Sequence, residues 1–417
     1  MLQPNSKEFL RKARWGLFIL TMINILNYVD RYVVSALVES LKKSELALTD
    51  TQAGLLMTSF LIVYMFTSPI FGALGDKKNR LRLMAFGVAI WSVATCLGGF
   101  ATSFIFLFSA RALLGVGEAA YGTISPALLS DYYPPASRGK IFSIFYCAIP
   151  IGAALGYVIG GYMDTHYGWR SAFYVAGIPG LVLAVLVLGL MDPPRGIFDE
   201  PSKITYKHQS LIATLKSSTD LFKNSWYSII VLGYAAYTFA LGALAFWIPA
   251  FLEREKGMTR QTASYDFGLV VIATGFVGTF VGGWLDAYLA KKYKNANLWL
   301  SGVATLLAVP FVFLCLVTKD ITLFWVCIVI AEILVFSSTG PINAAIIEHV
   351  PVSQRATAIA LSILGCHILG DVPSPPLIGW ISDHSNLQQG MMLIPVAFFI
   401  AGVLWLVKLW RPSQISA

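Results

Sequence analysis

Charge is scarce in this chain. Only 12% of its 417 residues are Asp, Glu, Lys or Arg, about half the usual share of a soluble domain. With 57% hydrophobic residues and a mean hydropathy of +0.69, there is too little polar surface to cover a water-soluble particle. A soluble enzyme, a nucleic-acid-binding module and a disordered scaffold are excluded on that ground. Period-two alternation is also missing: the apolar runs are long and continuous, which speaks against an outer-membrane barrel. No CxxC pair occurs. Cys96, Cys147, Cys315, Cys327 and Cys366 all fall inside apolar runs and read as buried small hydrophobes, so no metal site is expected. No Walker A sequence supports ATP drive. No nucleophile, histidine and acid come together in a pattern that would support a membrane enzyme. The first residues, MLQPNSKEFLRKAR, lead into an apolar run without a small-residue cleavage site, so no cleavable signal peptide is expected.

What the chain has is helix-length apolar segments. They fall at about 15–38, 50–75, 81–101, 103–131, 137–163, 170–191, 225–251, 261–286, 297–318, 321–348, 354–382 and 389–410, each long enough to cross a bilayer. Twelve spans put both termini on one side. The loops on that side, with the termini, carry 21 Lys and Arg, among them Lys7, Arg11, Lys77, Lys203, Lys207, Lys216, Lys408 and Arg411, against 7 on the other. The bias makes the termini cytoplasmic. It also accounts for the net charge of +8 and the pI of about 9.1 without nucleic acid. The expected fold is an all-α membrane protein of two pseudo-symmetric six-helix bundles, 1–191 and 225–417, joined by a cytoplasmic linker at 192–224. A repeat supports the division. The pattern Gly-x-x-x-Asp closes spans 2, 5, 8 and 11 at Gly72/Asp76, Gly160/Asp164, Gly282/Asp286 and Gly379/Asp383, as in transporters built from nested repeats.

Ionisable groups at membrane depth are costly and mark function by default. Span 1 carries Asn27, Asp30 and Arg31 within roughly a 100° arc, and span 4 carries Arg111 and Glu118 on one face about 10 Å apart. Asp30 lies about 22 Å in from the cytoplasmic side and Arg111 about 12 Å in from the other. In a core about 30 Å thick their levels match. The expectation is an Asp30–Arg111 ion pair, with Arg31 near a central cavity and Glu118 below. Glu332 and Asp371 are intramembrane acids with no arginine partner in their half. Asn343, His367 and Asp371 are candidates to line the cavity, as are the aromatics Tyr28, Tyr32, Tyr121, Tyr146, Tyr157, Tyr237, Phe239 and Trp247. Pro373, Pro375 and Pro376 break span 11.

The loop GALGDKKNRLR (Gly72–Arg82) resembles the signature of the major facilitator superfamily. Asn79 stands where that signature has Gly, and Asn suits a left-handed turn next best. Asp76 is the expected latch onto a neighbouring helix end or arginine, with Gly72 and Arg80. Within the superfamily the chain resembles the Spinster-like transporters. The resemblance rests on NILNYVDRYVVS (Asn24–Ser35), RALLGVGEAAYGTISPALLSDYYP (Arg111–Pro134), SRGKIFSIFYCAIPIGAALGYVIGG (Ser137–Gly161), GWRSAF (Gly168–Phe173) and DPPRG (Asp192–Gly196). It implies a proton-coupled secondary active transporter working by alternating access on an amphiphilic lysolipid or sphingoid-like substrate. Asp30 and Glu118 would carry the proton, and Arg31 and Arg111 would be their charge partners and meet an anionic headgroup. Asn27 and Tyr121 would join the cavity. The alternative is a proton-coupled symporter of small organic anions such as sugar acids, but the apolar span 7 (Tyr234–Trp247) leans toward a lipid. A receptor without transport would need a signalling domain, and no segment of this sequence reads as one. Beyond the proton no cofactor is expected. The expected partners are the amphiphile and membrane lipids, the state a monomer, and the location a bacterial inner membrane.

Overall fold

The computed structural model describes residues 6–198, 221–351, 354–407 and 409. Most of the expected linker 192–224 lies outside the described residues, as do Lys203, Lys207, Lys216, Lys408, Arg411 and the end of the last expected span. Among the described residues, twelve helices are long and apolar enough to cross a membrane. They are α1 (Lys7–Lys43), α2 (Asp50–Lys77), α3 (Arg80–Gly98), α4 (Phe104–Tyr132), α5 (Ser137–Tyr167) and α6 (Trp169–Leu188). The second six are α7 (Ser225–Lys256), α8 (Arg260–Leu289), α9 (Ala296–Val317), α10 (Ile321–Glu348), α11 (Thr357–His384) and α12 (Leu387–Val407).

Side-chain caps explain several starts. Thr49 and Gln52 form a reciprocal capping box at α2, Ser103 accepts from Phe106 N at α4, and Asp320 accepts from Thr322 N at α10. Each satisfies donors that a helix start leaves free. α1 begins well before the expected residue 15. Ser6 accepts from Phe9 N, and Phe9 and Ala13 bury one side of the first turns while Lys7, Arg11 and Arg14 stay exposed. Hydropathy misses such a stretch because only one face is apolar. Asn79 corrects a second expectation. Its φ is −68°, and it caps α3 by accepting from Arg82 N, so the position needs a capping oxygen and not a left-handed turn.

The chain divides into two compact units, Met1–Lys207 with Thr259–Gly268, and His208–Met258 with Leu269–Ala417. The pairing of helices repeats. In the first unit α1 packs on α5, α4 lies against both α2 and α3, and α3 packs on α6. In the second, α7 packs on α11, α10 lies against α9, and α9 packs on α12; α8 meets α10 where Gly278 abuts the Ile333 carbonyl. The same order offset by six helices is what internal duplication leaves behind.

α11 is interrupted by a π-turn at His367–Asp371, where Val372 N bonds to the His367 carbonyl at 3.1 Å. Pro373, Pro375 and Pro376 lack the N–H groups that would continue the ladder. Side chains of α7 bond to carbonyls on either side of the break: Trp247 Nε1 donates to Pro375 O at 3.0 Å and Thr238 Oγ1 to Cys366 O at 3.2 Å.

Candidate functional site

The buried charges of the first unit form one cluster, built by glycine. A Cβ on Gly115 would lie 2.5 Å from the Phe60 carbonyl of α2, and one on Gly117 would strike the Gly87 carbonyl of α3. Both glycines let α4 sit close between its neighbours, so that Glu118 reaches α1. Arg31 donates to Glu118 Oε2 from Nε at 2.9 Å and approaches it from Nη2 at 2.8 Å. The guanidinium also lies over three rings: Phe60 at 4.8 Å, Tyr28 at 4.9 Å and Tyr64 at 5.4 Å. Such faces attract a cation, more strongly where water is excluded. Glu118 is fully buried, whereas the Arg31 side chain is 16% exposed. Asn27 stands beside the carboxylate.

The expected Asp30–Arg111 ion pair is not formed. Arg111 Nη1 donates instead to the backbone carbonyl of Asp30 at 3.0 Å. Both Asp30 carboxyl oxygens are buried without a hydrogen-bond partner, as are Arg111 Nε and Nη2 and Glu118 Oε1. Trp91 Nε1 and Thr95 Oγ1 lack partners too, and both act on the Asp30 carboxyl, together with Glu118 and Arg111. Adjacent residues of a helix point about 100° apart, and the crossing of α1 with α4 aims Arg31, not Asp30, at the opposite charge.

Tyr121 is packed between helices of the first unit. It is buried, its ring meets Trp91 edge-on at 5.7 Å, and its hydroxyl bonds to Leu20 O. Tyr157, Tyr237 and Trp247 are likewise buried, with the Tyr237 hydroxyl held by Val335 O at 2.9 Å. These rings pack the bundles. Phe60 and Tyr64, which do face Arg31, carried no sequence signal of their own.

The signature loop latches through Arg80 rather than Asp76. Arg80 is buried and binds Asp131 at the end of α4, Asp192 at 2.6 Å and the Pro193 carbonyl at 2.7 Å. Arg195 returns to the carbonyls of Gly75 and Lys78 at 2.7 and 2.8 Å. Asp76 is exposed and takes no part; a Cβ added to Gly72 would meet nothing within 4 Å. Asp131, Asp192 and Arg195 lie in DYYP and DPPRG, quoted above without a role. The equivalent Asp164 does serve as an anchor: it accepts from Ser40 Oγ at 2.7 Å and pairs with Arg260. In the loop after α1, exposed Glu45 pairs with Arg170 at 2.5 Å. Its own backbone N–H, then the guanidinium, hold its carboxyl below the usual range.

In the second unit His367 Nδ1 meets Asp371 at 2.9 Å on the π-turn, both partly accessible. Asn343 is bonded to the Thr339 carbonyl at 2.8 Å and stands near Tyr234. These three expected cavity residues therefore share one region of unit two.

The profile of the Major Facilitator Superfamily matches residues 20–370. A spinster homologue of Danio rerio is 34% identical over 95% of this chain and 85% of that protein. A sphingosine-1-phosphate transporter of the same species is 33% identical over 93% and 82%. In structure, a bacterial homologue of the human lysosomal transporter Spinster, in its inward-facing unoccupied conformation, superposes with a TM-score of 0.84 at 23% identity, covering 98% of this chain and all of that one. The sequence relatives are eukaryotic and lend no support to the expected bacterial inner membrane. The twelve helices, the superfamily profile and the relatives agree: this chain is a multi-pass membrane transporter, not an enzyme, and belongs to the Spinster family of the major facilitator superfamily.

Proposed function

We propose that the chain is a proton-coupled transporter of a sphingoid-like or lysolipid amphiphile with an anionic headgroup. The observation that carries this reading is the Arg31–Glu118 pair inside its ring of aromatics, with one member accessible and the other sealed. A headgroup anion and the Glu118 carboxylate compete for the same guanidinium. A proton taken up by Glu118 removes its claim and frees Arg31 for the substrate; loss of the proton restores the pair and expels the headgroup. Removing the charge from a carboxylate beside a cation costs the ion-pair attraction, and a headgroup anion that takes over the cation offsets that cost, so proton and headgroup binding favour each other. Asp30, whose buried carboxyl oxygens have no hydrogen-bond partner, is the second proton-carrying acid, and the Arg111 guanidinium, which stays charged, is its charge partner. A purely structural salt bridge would leave fewer such atoms unmet. In the second unit, Asn343, His367 and Asp371 are the polar groups offered to the substrate. The termini face the cytoplasm, as the Lys and Arg bias requires.

The test is uptake into vesicles of purified protein under an imposed pH gradient, with sphingosine-1-phosphate and a sugar acid as alternative substrates. Gradient-driven accumulation of sphingosine-1-phosphate is expected. Glu118→Gln should keep exchange down a concentration gradient and lose the response to pH. Accumulation of the sugar acid alone would establish the symporter of small anions, and full pH dependence in the Gln variant would remove Glu118 as the carrier.

A further inference from the structure

Glu332, in α10, belongs to none of the groups above. It is 3% exposed, and its Oε2 lies 2.6 Å from Thr274 Oγ1 of α8. The same Thr274 Oγ1 lies 2.7 Å from the Val270 carbonyl of its own helix. A threonine hydroxyl has one proton to give. A carbonyl can only accept, so the 2.7 Å contact uses that proton. The 2.6 Å contact with Glu332 then needs a proton from the carboxyl side.

The surroundings point the same way. Among the described residues, Thr274 is the only hydrogen-bond partner of the Glu332 carboxyl. From α9 the titratable group in reach is the Cys315 thiol, which in turn lies near Cys327 and Lys256. The Lys256 ammonium is committed to the Thr318 carbonyl. The seam beside the acid is closed. One and two turns beyond Thr274, Gly278 and Gly282 face α10 so closely that a Cβ on Gly278 would lie 2.7 Å from the Ile333 carbonyl, and one on Gly282 would overlap Ser337. An ionised carboxylate there would be buried with no cation paired to it among the described residues, an expensive state.

We propose that Glu332 is a proton-holding site of the second unit, a neutral carboxylic acid that donates its O–H to Thr274 Oγ1 and starts a chain of two hydrogen bonds ending at the Val270 carbonyl. The acid joins α8 to α10 only while it keeps its proton. This inference concerns α8 and α10 alone and stands whether or not Glu118 carries the coupled proton.

Infrared difference spectroscopy on the full-length purified protein tests it without substrate or gradient. In mildly alkaline buffer the wild type minus Glu332→Gln spectrum is expected to show one lost C=O stretch of a protonated carboxyl and no lost carboxylate band. Thr274→Val should keep that band and move it to higher frequency, because the acid loses its acceptor; this arm decides the matter should the Gln variant fail to fold. Loss of a carboxylate band in Glu332→Gln, or a Thr274→Val spectrum with the protonated-carboxyl region unmoved, overturns the proposal.

Discussion

α4 and α10 hold the same place in the repeating six-helix pattern, and each buries one glutamate. Their partners differ. Glu118 meets a guanidinium that is itself partly accessible, while Glu332 meets a hydroxyl whose proton is already in use. A carboxyl beside a cation can be charged in a dry interior without standing alone; a carboxyl beside a hydroxyl cannot. On the two proposals above, one duplicated frame carries an exchangeable charge in its first copy and a fixed dipole in its second. The difference lies in what the neighbouring helix offers, not in the acid.

The comparison breaks hardest at Arg31. Arg31→Met leaves a fully buried carboxylate without its cation, and a loss of about 3–5 kcal/mol of stability is expected. Unfolding in detergent by denaturant or heat measures it. In the second copy the matching change, Thr274→Val, removes one buried hydrogen-bond partner and should cost about 1–3 kcal/mol by the same measurement. Equal losses in the two variants would erase the distinction between the copies. Asp371→Asn sharpens it further. The His367–Asp371 pair is partly solvated, so its stability effect should stay below about 1 kcal/mol, while the affinity for sphingosine-1-phosphate falls if the pair contacts substrate. The smallest effect belongs to Glu45→Gln. The wild-type carboxyl is held low, so whatever it adds to stability is present above the ordinary carboxylate range and disappears as pH falls through the lowered value. A thermal midpoint barely different from wild type at neutral pH, and the same at strongly acid pH, is expected.

Much of this was legible without coordinates. An ionisable side chain inside an apolar run is conspicuous because bilayers rarely tolerate one, and Asp30, Arg31, Arg111 and Glu118 stood out for that reason. Their partnership did not. Asp30 and Arg31 are neighbours in sequence, and which of them meets α4 depends on a rotation that hydropathy does not record. The signature loop taught the same lesson: Asp76 was the expected latch, but α3 starts at the Asn79 cap and turns Arg80 inward onto Asp131 and Asp192. Nor does sequence separate a buried aromatic such as Tyr121, Tyr237 or Trp247 from a pocket-lining one, because the two have the same local pattern.

By itself the order of residues determined twelve bilayer-length helices and a short roster of costly charges, because the energy of moving a side chain into hydrocarbon is a property of that side chain. Only the tertiary structure decided who faces whom: Arg31 against Glu118, Arg80 against two aspartates, Glu332 against Thr274. Hydrogen bonds and ion pairs act over about 3 Å, and at that range the outcome rests on the close approaches permitted by Gly115, Gly117 and Gly278, which the one-dimensional pattern contains but does not orient.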